Sequence, residues 1–146
     1  MRPISGENVL LTLLVGGLWA IGYVAVPVIF ASLEDKSIAG QLAGQLFALG
    51  GGLGMAASGL LLLLMALRER AAVLQNWTAR GVALVLLLLA AVQFGLSPEI
   101  AAAREAGITD SAEFKRLHSW ASGLYMVASV VGHAIVAFRG HLAAAR

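Results

Sequence analysis

Long runs of apolar residues divide this chain into four segments that are separated by short polar stretches. Residues 8–33, 37–67, 81–98 and 117–138 contain no Asp, Glu, Lys or Arg. A helix of about 20 apolar residues crosses the roughly 30 Å hydrocarbon core of a bilayer. Each run therefore predicts a transmembrane helix, and the chain predicts an all-α, polytopic membrane four-helix bundle in a single domain.

Prolines and polar residues between the apolar runs indicate where these helices should begin and end. The Ser97-Pro98 pair is expected to end the third span, because proline cannot continue a regular helical hydrogen-bond ladder. Asp110, with Glu113 three residues later, has the spacing of a capping box and predicts an N-cap at Asp110 for the fourth span. The predicted spans are about 8–31, 39–67, 79–97 and 113–138, with an extramembrane segment at 98–112.

Composition narrows the class further. Hydrophobic residues make up 60% of the 146 residues and charged residues only 12%, against about 25% charged in soluble domains. The net charge of +2 leaves no basic surface of the kind that nucleic-acid binding needs. The chain has no cysteine, which excludes disulfides and thiolate metal sites. No catalytic, nucleotide-binding or metal motif is present, so we expect no enzyme activity, no cofactor and no metal site.

The distribution of basic residues predicts the orientation. Four spans place both termini and the loop between spans two and three on the same side of the membrane. That side holds six basic residues and the other side four, so the positive-inside rule predicts cytoplasmic termini, as in a bacterial inner-membrane protein. The six are Arg2, Arg68, Arg70, Arg80, Arg139 and Arg146, and the four are Lys36, Arg104, Lys115 and Arg116.

Polar side chains within the spans are the natural place to look for a site, because they are costly in hydrocarbon and usually face a bundle interior. The ends of spans one and three and the starts of spans two and four meet on the outer side. Two interpretations stay open for the polar residues there, namely a binding site and interhelical hydrogen bonding. The candidate polar pocket consists of Gln41, Gln45, Gln93, His118, Ser119 and Ser122.

Span four carries a second polar stripe. At 3.6 residues per turn, Ser119, Ser122, Met126, Ser129 and His133 fall on one face, which we expect to be buried. Ser129 and His133 form the secondary candidate site, with a proton-relay or ligand role for His133 set against a purely structural one.

The histidines do not favour a haem protein. His118 and His133 are 15 residues apart, or about 22 Å along a helix, so they cannot hold one haem or one metal ion together. His141 follows on the same helix. A haem shared between subunits stays as a distant alternative.

Glycine and proline mark expected packing features. Pro27 should kink span one, and membrane helices tolerate such kinks when neighbours satisfy the freed backbone groups. The pairs Gly40 with Gly44 and Gly50 with Gly54 fit the small-x3-small pattern of close helix packing. Packing within this bundle, a homodimer face and a hinge are the three interpretations of these glycines.

Several short motifs together resemble a known membrane family. In chain order they are Gly17-Leu18-Trp19 with Gly22, Val26–Phe30, Ala39-Gly40 with Gly44 and Phe47, Ser97–Ile100 and Phe114–His118. This pattern is similar to the transmembrane protein 205-like family, also described as domain of unknown function 4149. The resemblance implies four transmembrane helices and an integral membrane location, but no established reaction, substrate or cofactor. The residues that carry it are Pro27, Phe30, Gly40, Gly44, Phe47, Pro98 and His118.

Three functions compete at this point. The first is a membrane protein that binds or moves a small molecule or ion through the outer polar pocket. The second is a structural or accessory subunit of a larger membrane complex, held by the glycine faces of span two. The third is a haem or metal redox protein. The expected partners are the lipid bilayer and either a second copy of the chain or a larger complex. The ligand is not identified by the sequence.

Overall fold

Four helical segments, each long and apolar enough to cross a membrane, make up the described part of the protein. The computed structural model describes the backbone of residues 6–144 and the side chains of residues 6–138, and this part of the chain contains no strand. The segments are Gly6–Ser32, Lys36–Gln75, Trp77–Glu105 and Ala112–Phe138. The all-α, four-helix prediction is therefore confirmed. Arg2, Arg146 and the side chains of Arg139 and His141 lie outside the described residues.

Six α-helices build these segments, and two of the segments contain a π-helical turn. Span one is α1 (Gly6–Trp19), a π-helical turn (Ala20–Ala25) and α2 (Val26–Ser32). Span two is α3 (Lys36–Glu69) with a 3-10 turn (Arg70–Gln75); span three is α4 (Trp77–Ala90), a π-helical turn (Ala91–Leu96) and α5 (Ser97–Glu105); span four is α6 (Ala112–Ala144).

The two π-helical turns explain how prolines fit inside these spans. Pro27 and Pro98 each lie in the first turn of the α-helix that follows a π-helical turn. A proline is tolerated in a first helical turn, where its missing N–H is not needed. Helical structure consequently continues through Ser97 and Pro98 to Glu105, and the prediction that this pair ends the helix is wrong.

Side-chain caps define the other helix starts. The Asp35 carboxylate accepts backbone N–H bonds at the start of α3, and the Asn76 side chain does so at the start of α4. At the start of α6, the hydroxyl of Ser111 accepts a bond from the Phe114 amide at 3.1 Å. Ser111 is the cap of this helix, so the prediction of Asp110 is wrong by one residue.

The spans pack in a ring in chain order. Helix α1 lies against α3 and α6, and α4 lies against the same two helices. The core occupies two layers between them. One layer is Leu11, Leu61, Met65, Ala79, Val82 and Ile135, and the other is Leu14, Leu18, Val85, Leu89, Tyr125 and Ala128.

An ion-pair network closes the ring at the end near Gly6. Glu7 is 7% exposed, and its carboxylate accepts a bond from the Arg68 guanidinium at 2.5 Å. Arg68 also donates to Glu69, which accepts a bond from the Asn76 amide at 2.8 Å. These contacts join the start of α1, the end of α3 and the start of α4. The opposite end, where α2 ends and α3 begins, is called the distal end below.

Candidate functional site

The distal half of the bundle is open on one side, between spans one and four. Helix α1 packs against α6, but in the described residues no Cα of residues 20–32 lies within 8 Å of a Cα of α6. The π-helical turn at Ala20–Ala25 marks the point of separation. A π-helical turn changes the direction and rotation of the following helix, and such turns are frequent at functional sites. We call the space between α2 and α6 the distal crevice.

Tyr125 forms the floor of the distal crevice. Its hydroxyl donates to the backbone carbonyl of Leu18 at 2.7 Å, across from α6 to α1. The backbone amide of Gly22 also faces this hydroxyl. A Cβ at Gly22 would lie 2.6 Å from the Tyr125 ring, so the close approach requires glycine there. Phe47 of α3 meets the same ring edge-on at 4.9 Å between centroids. The floor is therefore apolar and aromatic.

A cation, Arg104, approaches α3 one turn away from Phe47. The guanidinium of Arg104, from α5, crosses to the glycine face of α3. Its Nη1 atom is 2.6 Å from the position that a Cβ of Gly44 would take, and its Nε atom is 3.9 Å from that of Gly40. On its other side, the guanidinium carbon is 5.7 Å from the centre of the Phe114 ring. Gly40 and Gly44 therefore make room for an arginine rather than for a neighbouring helix.

Arg104 has no anionic partner in this place. Within the described residues, the ion pairs are those of Arg68 with Glu7 and Glu69, and no hydrogen bond from the Arg104 side chain is formed. The side chain is only partly exposed. A charged side chain that is partly withdrawn from water normally pairs with another polar or charged group. The guanidinium is thus available to an anion from outside the bundle.

His118 extends the aromatic side of this site. Its ring stacks on Phe114 at 5.9 Å with an interplanar angle of 5°, and its side chain is exposed. Ser122, one turn further along α6, is exposed as well. The Ser119 hydroxyl donates back to the Lys115 carbonyl at 2.8 Å and is used within the helix.

The remaining candidates of the polar pocket lie elsewhere. Gln41 and Gln45 are exposed, and each follows a glycine of the Arg104-binding face, about 100° further around α3. Gln93 lies in the second π-helical turn, where its Oε1 atom is 2.8 Å from the position of a Gly51 Cβ. The six predicted residues thus do not form a single cluster.

The polar stripe of span four is mostly exposed. Ser129 is buried and donates to the Tyr125 carbonyl at 2.9 Å, but Ser119, Ser122, Met126 and His133 are exposed. The expectation that this stripe is a buried face is wrong for all but Ser129. The stripe runs along the outer edge of the contact between α1 and α6, where Gly132 packs on Val15 and His133 meets the exposed Trp19.

The glycines at the middle of α3 take part in packing inside the bundle. A Cβ at Gly50 would lie 2.4 Å from Ile21 Cδ1, and a Cβ at Gly54 would lie 2.9 Å from Leu89 Cδ1. Gly52, by contrast, has no atom within 4 Å of its Cβ position. A shallow apolar groove of about 470 Å³ lies between α1 and α3 and includes Gly16, Gly17, Gly50 and Gly54 in its lining. This groove contains none of the candidate polar residues.

Sequence reasoning missed Arg104 as part of the site. It assigned Arg104 to an extramembrane segment, because Ser97-Pro98 was expected to end the helix. The available signal was the helical spacing of Ile100 and Arg104, which places Arg104 one turn beyond the buried Ile100 on the same face. Among the described residues, no three side chains of the types that bind metals come together.

The glycine face, the π-helical turn of span one and Arg104 all fall in one matched region. A family model described as domain of unknown function (DUF4149) matches residues 9–109. The chain belongs to this family. No curated protein matches it in a search of such proteins, and no solved structure matches it either. Phe114 and His118 lie beyond the matched residues, whereas Gly40, Gly44 and Arg104 lie within them.

Proposed function

We propose that this integral membrane protein binds an anionic amphiphile in the distal crevice, with the anionic group on Arg104 and the apolar part on the aromatic floor. The observation that carries the proposal is the Arg104 guanidinium, which lies between the α3 glycine face and Phe114 without an anionic partner in the described residues. Arginine binds phosphate and carboxylate groups through two parallel hydrogen bonds, and its flat face stacks on aromatic rings.

The position of the cation supports an amphiphile over a fully apolar ligand. Arg104 is in the last turn of α5, at the end of a segment long enough to span the membrane. That position corresponds to the headgroup region of a bilayer, while Phe47 and Tyr125 lie deeper. A lipid-like molecule has its charge and its chains in this same order.

The lateral opening supports entry from the bilayer. Because α2 does not cover α6, the crevice faces the lipid between these two helices. An amphiphile is thus able to reach Arg104 without passing through the ring of helices. Movement of such a molecule, rather than binding alone, would need a second conformation of the crevice.

The proposed orientation in the membrane rests on the distribution of basic residues, and the proposed relationship rests on the sequence motifs. With both termini in the cytoplasm, the distal crevice opens in the outer leaflet of a bacterial inner membrane. We also propose that the chain is related to transmembrane protein 205, a relationship that implies no particular reaction.

Binding is tested with the purified chain in detergent micelles by native mass spectrometry. The probes are phosphatidylglycerol, phosphatidylcholine and inorganic phosphate. We expect retention of phosphatidylglycerol, and a loss of about 10- to 100-fold in its affinity for Arg104→Gln, since hydrogen bonds to charged groups contribute about 1.5–3 kcal/mol. Arg104→Lys should recover only part of this affinity, because lysine has no planar pair of donors.

The matched control is Arg116→Gln, an exposed arginine near the start of α6. It removes the same charge near the same end and should leave binding within about twofold. Equal binding of phosphatidylcholine, or equal losses for the two variants, would refute the proposal. Competition by inorganic phosphate alone would replace the amphiphile with a soluble anion as ligand.

A further inference from the structure

His118 lies on the face of α6 that borders the distal crevice. Phe114, His118 and Tyr125 follow one another at intervals of four and seven residues, so their side chains leave α6 within about 40° of one another. Phe114 contacts the Arg104 guanidinium, and Tyr125 forms the floor of the crevice. Along this face of the helix, His118 thus lies between the ring that meets the cation and the ring that forms the floor.

The imidazole of His118 has hydrogen-bonding capacity that the described residues do not use. Its ring stacks on Phe114 at 5.9 Å with an interplanar angle of 5°. Neither ring nitrogen forms a hydrogen bond or an ion pair with another described residue. A neutral imidazole offers one donor and one acceptor, and a protonated one offers two donors. Because the side chain is exposed, a ligand in the crevice is able to reach these atoms.

Positive charge acts on His118 from two elements. The charge of Arg104, from α5, acts on its ring, and Lys115 lies one turn before it on α6. Of the other elements packed against α6, helices α1 and α4 carry Glu7 and Arg80 at the opposite end of the bundle, and the π-helical turn of span three has no charged residue. In the described part of the chain, no carboxylate pairs with Arg104 or with His118. A protonated His118 and Arg104 repel each other, and an anion bound to both removes this repulsion.

Arg104 and His118 differ in how they hold their charge. A guanidinium is always protonated, whereas an imidazole, with an ordinary pKa of about 6.5, gains its charge close to neutral pH. A phosphate monoester has the matching pair of charges, because its first charge is permanent and its second has a pKa of about 6. A phosphodiester has only the permanent charge, which Arg104 balances alone.

We infer that His118 is the second anion-binding group of the distal crevice, and that the amphiphile bound there carries a phosphate monoester as its headgroup. The inference rests on the proposed function, since Arg104 holds the permanent charge of the same headgroup. The titratable proton then lies in a hydrogen bond between a phosphate oxygen and a ring nitrogen of His118.

Phosphatidic acid and phosphatidylglycerol with identical acyl chains test the inference, because only phosphatidic acid ends in a phosphate monoester. Both affinities are measured at neutral pH by native mass spectrometry of the purified chain in detergent micelles. We expect phosphatidic acid to bind at least about fivefold more tightly, as for a charge-assisted hydrogen bond that is partly exposed to solvent. His118→Gln keeps a neutral donor and acceptor. It should abolish the preference and leave the affinity for phosphatidylglycerol within about twofold.

Two further variants separate the charge of His118 from its bulk. His133→Gln makes the same substitution at another exposed histidine of α6 and should keep the full preference for phosphatidic acid. His118→Lys supplies a permanent positive charge at the site and should restore part of the preference that His118→Gln loses. No recovery in His118→Lys, or an equal loss in His133→Gln, would overturn the role given to the His118 charge.

The outcomes for the two lipids distinguish this inference from the proposed function. Equal binding of both lipids, or a preference that survives His118→Gln, would overturn the inference while phosphatidylglycerol still binds through Arg104. Binding of phosphatidylglycerol that does not depend on Arg104 would overturn the proposed function instead. Glycerol 3-phosphate carries the same monoester without acyl chains and should not displace phosphatidic acid. Displacement at equal concentration would overturn the assignment to a lipid and make a soluble phosphate monoester the ligand.

Discussion

Replacing Tyr125 with phenylalanine isolates the hydrogen bond that joins spans one and four at the base of the distal crevice. The Tyr125 hydroxyl is 2.7 Å from the Leu18 carbonyl, and the residue is 7% exposed. Phenylalanine keeps the edge-on contact with Phe47 at 4.9 Å. The substitution therefore removes one donor and almost no packing.

The size of the effect follows from the setting of this bond. Interhelical hydrogen bonds in membrane proteins contribute about 0.6 kcal/mol on average and at most about 1.7 kcal/mol. The Tyr125 bond belongs in the upper half of that range, since it is short and enclosed. We expect Tyr125→Phe to lower the free energy of unfolding by about 1–1.5 kcal/mol, and α6 to separate from the π-helical turn of span one more readily.

The change in the free energy of unfolding is measured in mixed micelles. The protein is titrated with sodium dodecyl sulfate, and its unfolding is followed by far-ultraviolet circular dichroism. Tyr23→Phe is the control, because the Tyr23 hydroxyl is exposed and accepts no protein partner in the described residues. Both variants are compared in enough detergent to keep the chain monomeric. A loss for Tyr125→Phe that is no larger than that for Tyr23→Phe would refute the role given to the Leu18 bond.

Three further substitutions probe the glycine packing of α3 and the ion pair of Glu7 with Arg68. A Gly50→Ala side chain must displace Ile21 Cδ1, the end of a flexible side chain 2.4 Å away, so we expect the helix stability gained with alanine to be offset and a net loss of about 0–1 kcal/mol. The side chain of Gly52→Ala meets open space, so this variant should gain about 0.5–1 kcal/mol in the free energy of unfolding. The same titration measures both variants. Equal stabilities of Gly50→Ala and Gly52→Ala would contradict the packing of Gly50 against Ile21. Glu7→Gln removes the negative charge that faces Arg68 and should cost about 1 kcal/mol, since Arg68 is largely exposed and the amide oxygen still accepts a hydrogen bond. Increased protease cleavage near residue 7 would support this, and an unchanged unfolding curve would exclude it.

The number of spans was predictable because the requirement for an uncharged, apolar helix applies to each segment of the chain by itself. Hydrocarbon excludes charged side chains and unpaired backbone groups along the whole length of a crossing helix. The four uncharged runs between residues 8 and 138 therefore determine four crossings without knowledge of any neighbour.

The helix details were harder to predict because they depend on bonds that residue types do not reveal. Pro98 reads as a helix end, yet the π-helical turn at Ala91–Leu96 shifts the ladder so that this proline falls in a first turn. The same error separated Arg104 from the helix of span three and left it out of the candidate site. Ser111 is the cap in place of Asp110, because residue spacing alone defines a helix boundary only to within one or two residues.

The composition of the candidate site could not be predicted, because it depends on which helices contact each other and which do not. Helical spacing assigned Ser122, Ser129 and His133 to one face of α6, but it could not show that Ser129 alone of these three is buried. The sequence by itself determined four apolar spans and their polar ends, because bilayer thickness acts on each segment separately. Only the tertiary structure placed Arg104 against Gly44 and brought the exposed rings of Trp19 and His133 together. These contacts join residues more than 50 positions apart in the chain, so no local pattern of residues predicts them.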